Sequence, residues 1–286
     1  MSEPSSEAAN AAQIDYWNAS VGRTWAQFQD HLDRQIAPLG LEALRVLAPA
    51  SGEAILDVGC GCGQTTVDLA GRVGPEGQVT GLDISEPMLE VARARSLPQD
   101  AGEARFLKLD AQTADLGEGA FDAVYSRFGV MFFSDPAAAF ANLRKALKPG
   151  GRLAFVCWRP YPENAWMSAP MAAAQSFLPP MSPIDPTAPG PFAFADPQRI
   201  EAILSRAGFT EISITPFDAR IGGGTIAETL NLTFRVGPLG SALREAPHLA
   251  PKVREAVEAC LADFDTPQGV LMPAAVWIVQ AVQPVG

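Results

Sequence analysis

The stretch ILDVGCGCG, residues 55–63, decides the fold. An apolar segment that contains Asp57 breaks into three glycines at alternating positions, Gly59, Gly61 and Gly63. A helix-forming segment over residues 64–72 follows at once. Glycine permits sharp bends and lets a ligand approach the bare main chain at a helix N-terminus. This strand, turn and helix therefore predict a binding site for a cofactor that carries a nucleoside.

The composition limits the partners of the chain. It has 286 residues, of which 48% are hydrophobic, enough for one large α/β domain with a buried core. The formal net charge is −11 and no run of Lys or Arg occurs, so we expect no nucleic-acid partner. No apolar stretch is long enough to span a bilayer, and the first residues lack the features of a signal peptide. We expect a cytoplasmic protein, and the sequence leaves its oligomeric state open.

The four cysteines predict neither disulfides nor a metal site. Cys60, Cys62, Cys157 and Cys260 form no CxxC pair, which fits a reducing compartment. Cys60 and Cys62 lie within the glycine turn, without a nearby histidine or a further cysteine. They are best interpreted as small buried side chains, and we expect no metal cofactor.

Short β-rich segments alternate with helical segments from residue 54 to residue 158, which is typical of a parallel sheet. Strands are predicted at 54–58, 78–83, 104–110, 121–126, 151–158, 209–218 and 274–282, and helices at 64–72, 86–95 and 137–148. The predicted fold class is α/β, with a doubly wound, mostly parallel sheet of seven strands.

Changes in residue composition along the sequence divide the chain into five regions. We expect a disordered tail at 1–13, an N-terminal helical cap at 14–50, the cofactor-binding core at 51–158, a proline-rich lid or substrate-binding excursion at 159–195, and the rest of the core at 196–286, with an insertion at 222–268 that starts with a glycine hinge. The apolar residues of the excursion predict a closable acceptor cavity, or else packing under a long loop or a subunit interface: Trp166, Met167, Met171, Phe177, Leu178, Met181, Phe192 and Phe194.

Acidic side chains end the next two predicted strands. Asp83 follows the glycine turn at about the offset, roughly 20 residues, at which an acid binds ribose hydroxyls. Asp110 ends the third strand and can accept from an exocyclic amine, while the backbone N–H of Ala111 can meet a ring nitrogen. Taken singly, each acid could equally be a helix cap or a solvated loop residue. Together they predict a nucleoside site at one edge of the sheet.

Five segments resemble those of class I S-adenosylmethionine-dependent methyltransferases, in the branch that includes ubiquinone and menaquinone biosynthesis enzymes. They are LDVGCGCGQTT (56–66), VTGLDIS (79–85), FLKLDAQTADL (106–116), FDAVYSRFGVMFF (121–133) and LRKALKPGGRLAFVCW (143–158). The resemblance covers about residues 50–160. It implies a Rossmann-like sheet with an antiparallel last strand and S-adenosylmethionine as the cofactor. We expect the methyl group to pass to a small, largely apolar acceptor, because the excursion is rich in apolar residues and poor in Lys and Arg.

The resemblance also implies where the cofactor lies. The methionine part would contact Asp57 and the three glycines, the ribose would contact Asp83, and the adenine would lie near Ile84, Asp110 and Ala111. Further residues expected around the cofactor are Met88, Ser126, Arg127, Phe128, Trp17 and Trp25. His31 and Tyr16 are candidates for a base near the reacting methyl group, although docking of the N-terminal helix is an equal explanation for the aromatic residues.

Two alternatives remain beside methyl transfer by in-line displacement. An NAD(P)-dependent oxidoreductase also uses a glycine turn and an acid after the second strand. Its third glycine, however, should fall at the position of Gln64 instead of Gly63. A non-catalytic module that only binds S-adenosylmethionine is the other alternative. Formation of S-adenosylhomocysteine would distinguish an enzyme from such a module.

Overall fold

The computed structural model describes residues 6–180 and 185–285, with side chains from residue 10 onward. Within these ranges the helices are α1 (Ser6–Asn18), α2 (Ser20–Gln27), α3 (Gln29–Leu47), α4 (Gln64–Val73), α5 (Glu86–Arg93), α6 (Pro136–Ala146), α7 (Ala165–Ala174), α8 (Pro197–Arg206), α9 (Ile226–Thr233), α10 (Gly237–Glu245) and α11 (Ala250–Ala262). The strands are β1 (Ala54–Val58), β2 (Gln78–Asp83), β3 (Glu103–Lys108), β4 (Phe121–Arg127), β5 (Leu147–Trp158), β6 (Thr210–Gly224), β7 (Asp265–Thr266) and β8 (Gly269–Val282). None of these helices combines the length and apolarity that crossing a bilayer requires.

The strands form one sheet in the order β3-β2-β1-β4-β5-β8-β6, and the two-residue β7 pairs with β8 at the side. The first five strands run parallel, whereas β8 is antiparallel to both β5 and β6. The predicted doubly wound sheet with an antiparallel last strand is therefore confirmed, with β7 as one additional short strand. The strand order reverses between β1 and β4, and ligands of such sheets bind outside the carboxyl ends of the strands at that point.

The central strands are buried on both faces, as parallel strands covered by helices must be. Ile55 and Leu56 of β1, Val124 of β4 and Phe155 of β5 are all inaccessible to solvent. These residues belong to one continuous core that also includes the inner face of α3. The core holds the carboxyl ends of β1, β2 and β4 in fixed register, and these are the ends that carry the predicted site residues.

The glycines at 222–224 are not a hinge, contrary to the sequence-based expectation. They extend β6 beyond residue 218, and Gly222 pairs with Leu271 of β8. The φ angle of Gly222 is 130°, and a Cβ atom there would lie 2.1 Å from the carbonyl oxygen of Val270. Glycine therefore permits a close approach of two strands at a register shift. Likewise α6 ends at Ala146, two residues before the predicted end, because Leu147 already pairs with Phe121 of β4.

The expected disorder over residues 1–13 is wrong for residues 6–13, which belong to α1. The alanine-rich sequence favours a helix, and the helix is anchored to the sheet. The Asn10 side-chain amide donates to Asp110 Oδ2 at 2.6 Å. Residues 1–5 of the predicted tail lie outside the described residues. The cap therefore begins earlier than the expected boundary at residue 14.

Candidate functional site

The glycine loop between β1 and α4 bends through left-handed backbone angles. Gly59 and Gly61 have φ angles of 67° and 54°. At Gly59 an added Cβ would lie 2.7 Å from the Cα of Gly129, so this position needs glycine for packing. At Gly61 the nearest atom to an added Cβ is Met88 Sδ at 3.9 Å, and both residues line a large cavity. Gly61 therefore presents bare main chain to the cavity.

Two predicted site residues shape the loop without lining the cavity. Gly63 has a φ of 82° at the start of α4, and an added Cβ would lie 2.8 Å from the Cβ of Ala92. Ser126 is fully buried, and its hydroxyl donates to the carbonyl of Val58 at 2.7 Å. Both are absent from the described residues that line the cavity. In the structure both residues pack within the fold and shape the loop, and their expected contacts with the cofactor stay a prediction.

Asp57 is buried directly behind the glycine loop. Its Oδ2 accepts hydrogen bonds from the hydroxyls of Thr65 and Thr66 at 2.6 and 2.7 Å, and its Oδ1 has no partner among the described residues. Burial raises the pKa of this carboxyl to about 6, although the two hydroxyls oppose the shift. Asp57 does not line the cavity itself, but its neighbours Val58 and Thr65 do. It is thus a buried acid with one unused acceptor close to the cavity wall.

The acids that end β2 and follow β3 lie on the cavity, as expected. Asp83 accepts from the backbone N–H groups of Gly61 and Ser85, each at 2.8 Å, and burial raises its pKa. Asp110 accepts from the N–H of Gln112 through Oδ1 at 2.9 Å and from Asn10 through Oδ2. The cavity lining also includes the expected residues Ile84, Met88, Ala111, Arg127 and Phe128.

The N-terminal helices close one side of the site. The Ser85 hydroxyl donates to the carbonyl of Trp17 at 2.8 Å. Asn18 accepts from the N–H of Glu86 at 3.0 Å and donates to the carbonyl of Ile84 at 2.8 Å, so it caps α5 from a distant segment. Trp17 lies edge-on to Trp25, with ring centroids 5.9 Å apart. These contacts place the expected residues Tyr16, Trp17 and Trp25 on the cavity wall.

Arg127 and Asp33 fasten α3 over the glycine loop. Asp33 lies between two guanidinium groups, at 3.0 Å from Arg127 and 2.5 Å from Arg95. Arg127 also donates to the side chain of Gln64 at 2.6 Å, and Arg95 donates to the carbonyl of Cys62 at 2.5 Å. Both arginines therefore bridge the helix and the loop. No sequence pattern indicates a role for Asp33, because its ion pairs join segments far apart in the chain.

An aromatic wall forms the other end of the cavity. Phe128 stacks on Trp158 with ring centroids 4.1 Å apart, and Trp158 in turn contacts Trp166 at 5.1 Å. Phe128 has a φ of 61°, which is uncommon for a bulky residue and marks a constrained position. Trp158 was not among the predicted site residues. It ends β5, so the strand-end reasoning applied to the earlier strands would have found it.

Part of the proline-rich excursion lines this end. Five of its predicted apolar residues face the cavity: Trp166, Met167, Met171, Leu178 and Phe192. Phe177 is instead 41% exposed, Phe194 is buried in the main core, and Met181 lies outside the described residues. Arg235, which precedes α10, and residues of α10 such as Arg244 complete the wall. The cavity has a volume of about 1960 Å³, whereas a single ligand pocket is usually roughly 300–1,000 Å³.

His31 is not at the site, which corrects its candidacy as a base. Its ring lies against Gly224 of β6, where an added Cβ would be 2.8 Å from Cε1. Burial lowers the pKa of His31, and the nearby Arg34 charge lowers it further. His31 does not reach the cavity because it lies on the face of α3 that is turned toward β6 and α9. The described residues that line the cavity include no histidine, and Tyr16 is the candidate that remains.

Known proteins with similar sequences include several methyltransferases. Residues 55–151 match a family model described as a methyltransferase domain. The O-methyltransferase cnsE of Penicillium expansum is 32% identical over 250 residues, which cover 85% of this chain and 80% of that protein. A demethylmenaquinone methyltransferase of Lactococcus lactis is 36% identical over 112 residues, which cover 39% of this chain and only 44% of that protein.

The solved structures agree on the fold. The YcgJ protein of Bacillus subtilis superposes with a TM-score of 0.56 at 16% identity, over 87% of this chain and 99% of that protein. A putative methyltransferase of Bacillus halodurans superposes with a TM-score of 0.53 at 18% identity, over 85% of this chain and 98% of that protein. At these identities the likeness establishes the Rossmann-like sheet alone.

Proposed function

This chain belongs to the family of S-adenosylmethionine-dependent methyltransferases, and we propose that it methylates a small, largely apolar acceptor within the cavity. One observation carries the proposal. A single cavity of about 1960 Å³ extends from the glycine loop and the strand-end acids to the aromatic wall. That volume exceeds what one ligand usually fills, so it has room for a cofactor and an acceptor side by side.

The residues at the glycine-loop end fit the cofactor. Asp83 offers carboxylate oxygens, which act only as acceptors and suit the two hydroxyls of a ribose. Asp57 lies buried behind the loop, and its Oδ1 has no partner among the described residues, so its carboxyl favours a positive charge such as the ammonium of a methionine part without lining the cavity itself. Gly61 has no side chain to separate a ligand from its main chain beside Met88. We propose that Asp83, Gly61 and Met88 hold the cofactor at this end.

The mechanism needs little proton transfer from the protein. When bound, S-adenosylmethionine would supply an activated methyl group on a sulfonium, whose leaving group, the thioether S-adenosylhomocysteine, is neutral and needs no proton. The contribution of the chain is then to align the acceptor with that methyl group and to keep water away. Trp17 and Trp25 at one side, and the stacked pair of Phe128 and Trp158 at the other, are the rigid surfaces that would do so. Tyr16 could assist deprotonation of an acceptor that needs it.

The acceptor is proposed to be apolar with an oxygen nucleophile. The walls at the acceptor end are mostly aromatic and aliphatic, and an apolar molecule gains most from such surroundings. The relative cnsE is an O-methyltransferase, which supports oxygen as the nucleophilic atom. The guanidinium groups of Arg235 and Arg244 are exposed at the cavity wall, where a polar substituent of the acceptor would meet them.

The cofactor half of the proposal is tested by calorimetric titration with S-adenosylmethionine and with S-adenosylhomocysteine. The Asp83→Asn variant should bind both at least about tenfold more weakly, since one acceptor oxygen becomes a donor. Asp115→Asn is the matched control, because Asp115 is exposed and does not line the cavity. Absence of binding by the wild-type chain would exclude the proposal.

The acceptor half is tested by incubation with a panel of phenols, quinols, carboxylic acids and amines, followed by mass analysis of the products. S-adenosylhomocysteine should form together with a methylated oxygen compound. Binding of the cofactor without any such product across the panel and in a cell extract would favour the non-catalytic module. Binding of NAD(P) in place of S-adenosylmethionine would favour the oxidoreductase.

A further inference from the structure

Asn10 of α1 lies buried against Asp110, at the end of the cavity where the third strand finishes. Only 3% of Asn10 is exposed, and the residue lines the cavity. Its Nδ2 donates to Asp110 Oδ2 at 2.6 Å. The other oxygen of Asp110 accepts from the N–H of Gln112. Each oxygen of the acid expected to bind adenine therefore already accepts one hydrogen bond within the protein.

The amide oxygen of Asn10 has no such partner. Because Nδ2 must face the carboxylate, Oδ1 points elsewhere, and it is buried without a hydrogen-bond donor among the described residues. A buried carbonyl oxygen without a donor is unfavourable, because it has lost its hydrogen bonds to water at a cost in free energy. A ligand that donates an N–H at this place would remove that cost. Adenine carries such a donor in its exocyclic amine.

The helix that carries Asn10 is fixed at its other end as well. Asn18 of α1 bonds to both sides of the turn before α5, through the carbonyl of Ile84 and the N–H of Glu86. The carbonyl of Trp17 accepts from the Ser85 hydroxyl. These bonds hold α1 across the strand-end acids Asp83 and Asp110. The helix thus spans the edge of the cavity where a nucleoside would lie.

We propose that Asn10 reads the adenine of the cofactor: its Oδ1 accepts a hydrogen bond from the exocyclic amine while Asp110 holds its Nδ2. Asp110 then acts as a positioning residue, and Asn10 is the residue in contact with the base. This inference rests on the proposed function, because it takes S-adenosylmethionine as the ligand. It assigns a specificity role to a segment whose sequence indicates only a tail.

The test compares two ligands that differ at the position read by Asn10. S-adenosylhomocysteine carries the amine, and its deaminated analogue S-inosylhomocysteine carries a carbonyl oxygen there. Calorimetric titration of the wild-type chain should show a preference for the amine. Asn10→Ala should weaken binding of S-adenosylhomocysteine about tenfold, which corresponds to roughly 1.4 kcal/mol. The same variant should leave the affinity for S-inosylhomocysteine within about twofold.

Gln13→Ala is the matched control. Gln13 lies one turn further along α1 and carries the same amide group, but its side chain does not line the cavity. This variant should bind both ligands as the wild type does. Equal weakening of both ligands by Asn10→Ala would mean that Asn10 only docks α1, and unchanged binding would mean that it does not touch the base; either result overturns the inference. Failure of the wild-type chain to bind S-adenosylhomocysteine would instead overturn the proposed function.

Discussion

Phe128 and Trp158 lie face to face, with ring centroids 4.1 Å apart and ring planes 10° apart. Phe128 directly follows β4 and Trp158 ends the neighbouring parallel strand β5, and the backbone of Phe128 is left-handed. Both are almost completely buried. The stacked pair is thus part of the core and part of the cavity wall at the same time.

Phe128→Ala should lower the free energy of unfolding by about 3 kcal/mol, because it removes a buried aromatic ring and leaves a cavity. Urea denaturation measures this change. Phe177→Ala is the matched control, since Phe177 is 41% exposed, and it should stay within about 0.5 kcal/mol of the wild type. Similar losses in the two variants would show that the pair adds nothing to stability beyond an ordinary phenylalanine.

The two glycines of the loop should separate stability from binding. Gly59→Ala should cost about 3 kcal/mol of unfolding free energy, since the methyl group combines a left-handed φ with a clash against Gly129. Gly61→Ala should cost only about 1–2 kcal/mol, because its methyl group meets open space. That methyl group enters the cavity, so affinity for S-adenosylhomocysteine should fall at least about tenfold. Full affinity in Gly61→Ala would place the cofactor elsewhere.

Asp57 should make stability depend on pH. Burial raises its pKa from 3.8 to about 6, so the folded state binds a proton between these values that the unfolded state does not bind. The contribution of Asp57 to stability therefore falls as pH rises through this window. Relative to the wild type, Asp57→Asn should be more stable at pH 7 than at pH 4, by about 1–3 kcal/mol.

Urea denaturation at both pH values measures the effect of Asp57→Asn as a difference from the wild type, which cancels the other titrating groups. A constant difference for Asp57→Asn at the two pH values would mean that this carboxyl has an ordinary pKa in the folded protein.

The Asp33 carboxylate should contribute more to the free energy of unfolding than an exposed ion pair does. Asp33→Asn weakens its bonds to both Arg95 and Arg127 and should cost about 1–3 kcal/mol, because hydrogen bonds to charged groups count most when partly buried. Glu42→Gln is the control. Its partner Arg45 is 69% exposed, and the expected change is under about 0.5 kcal/mol. Thermal or urea unfolding of both variants measures the two changes in unfolding free energy.

The sheet, and the edge of it that carries the site, could be predicted because both follow from local sequence patterns. Each parallel strand is a short apolar run bounded by turn residues, and Asp83 and Asp110 fall at strand ends that any such sheet brings together. The glycine spacing also predicted a bend. It did not distinguish Gly61, which faces the cavity, from Gly63, which packs on Ala92. That distinction depends on which neighbour lies opposite each glycine.

The remaining site residues depend on contacts between distant segments. Asn10 was expected in a disordered tail because its segment is polar and short, and only its bond to Asp110 gives it a place. From the sequence alone Asp33 is a solvated helix residue, and only the structure shows its ion pairs with Arg95 and Arg127. His31 and Trp158 show the same limit of sequence-based prediction. His31 is a predicted site residue that lies elsewhere, whereas Trp158 lines the cavity and was not predicted. The amphipathic pattern of α3 does not say which neighbour His31 meets, and the end of β5 was not treated as part of the site.

The sheet order has a consequence for how such a protein can diversify. The glycine loop and the strand-end acids follow the parallel strands β1, β2 and β3. The aromatic wall instead follows β4 and β5 and continues into the excursion and α10. Substitutions can therefore accumulate in the second group while the hydrogen bonds of the first remain intact. One scaffold can in this way serve many acceptors, each evolved by remodelling a single flank.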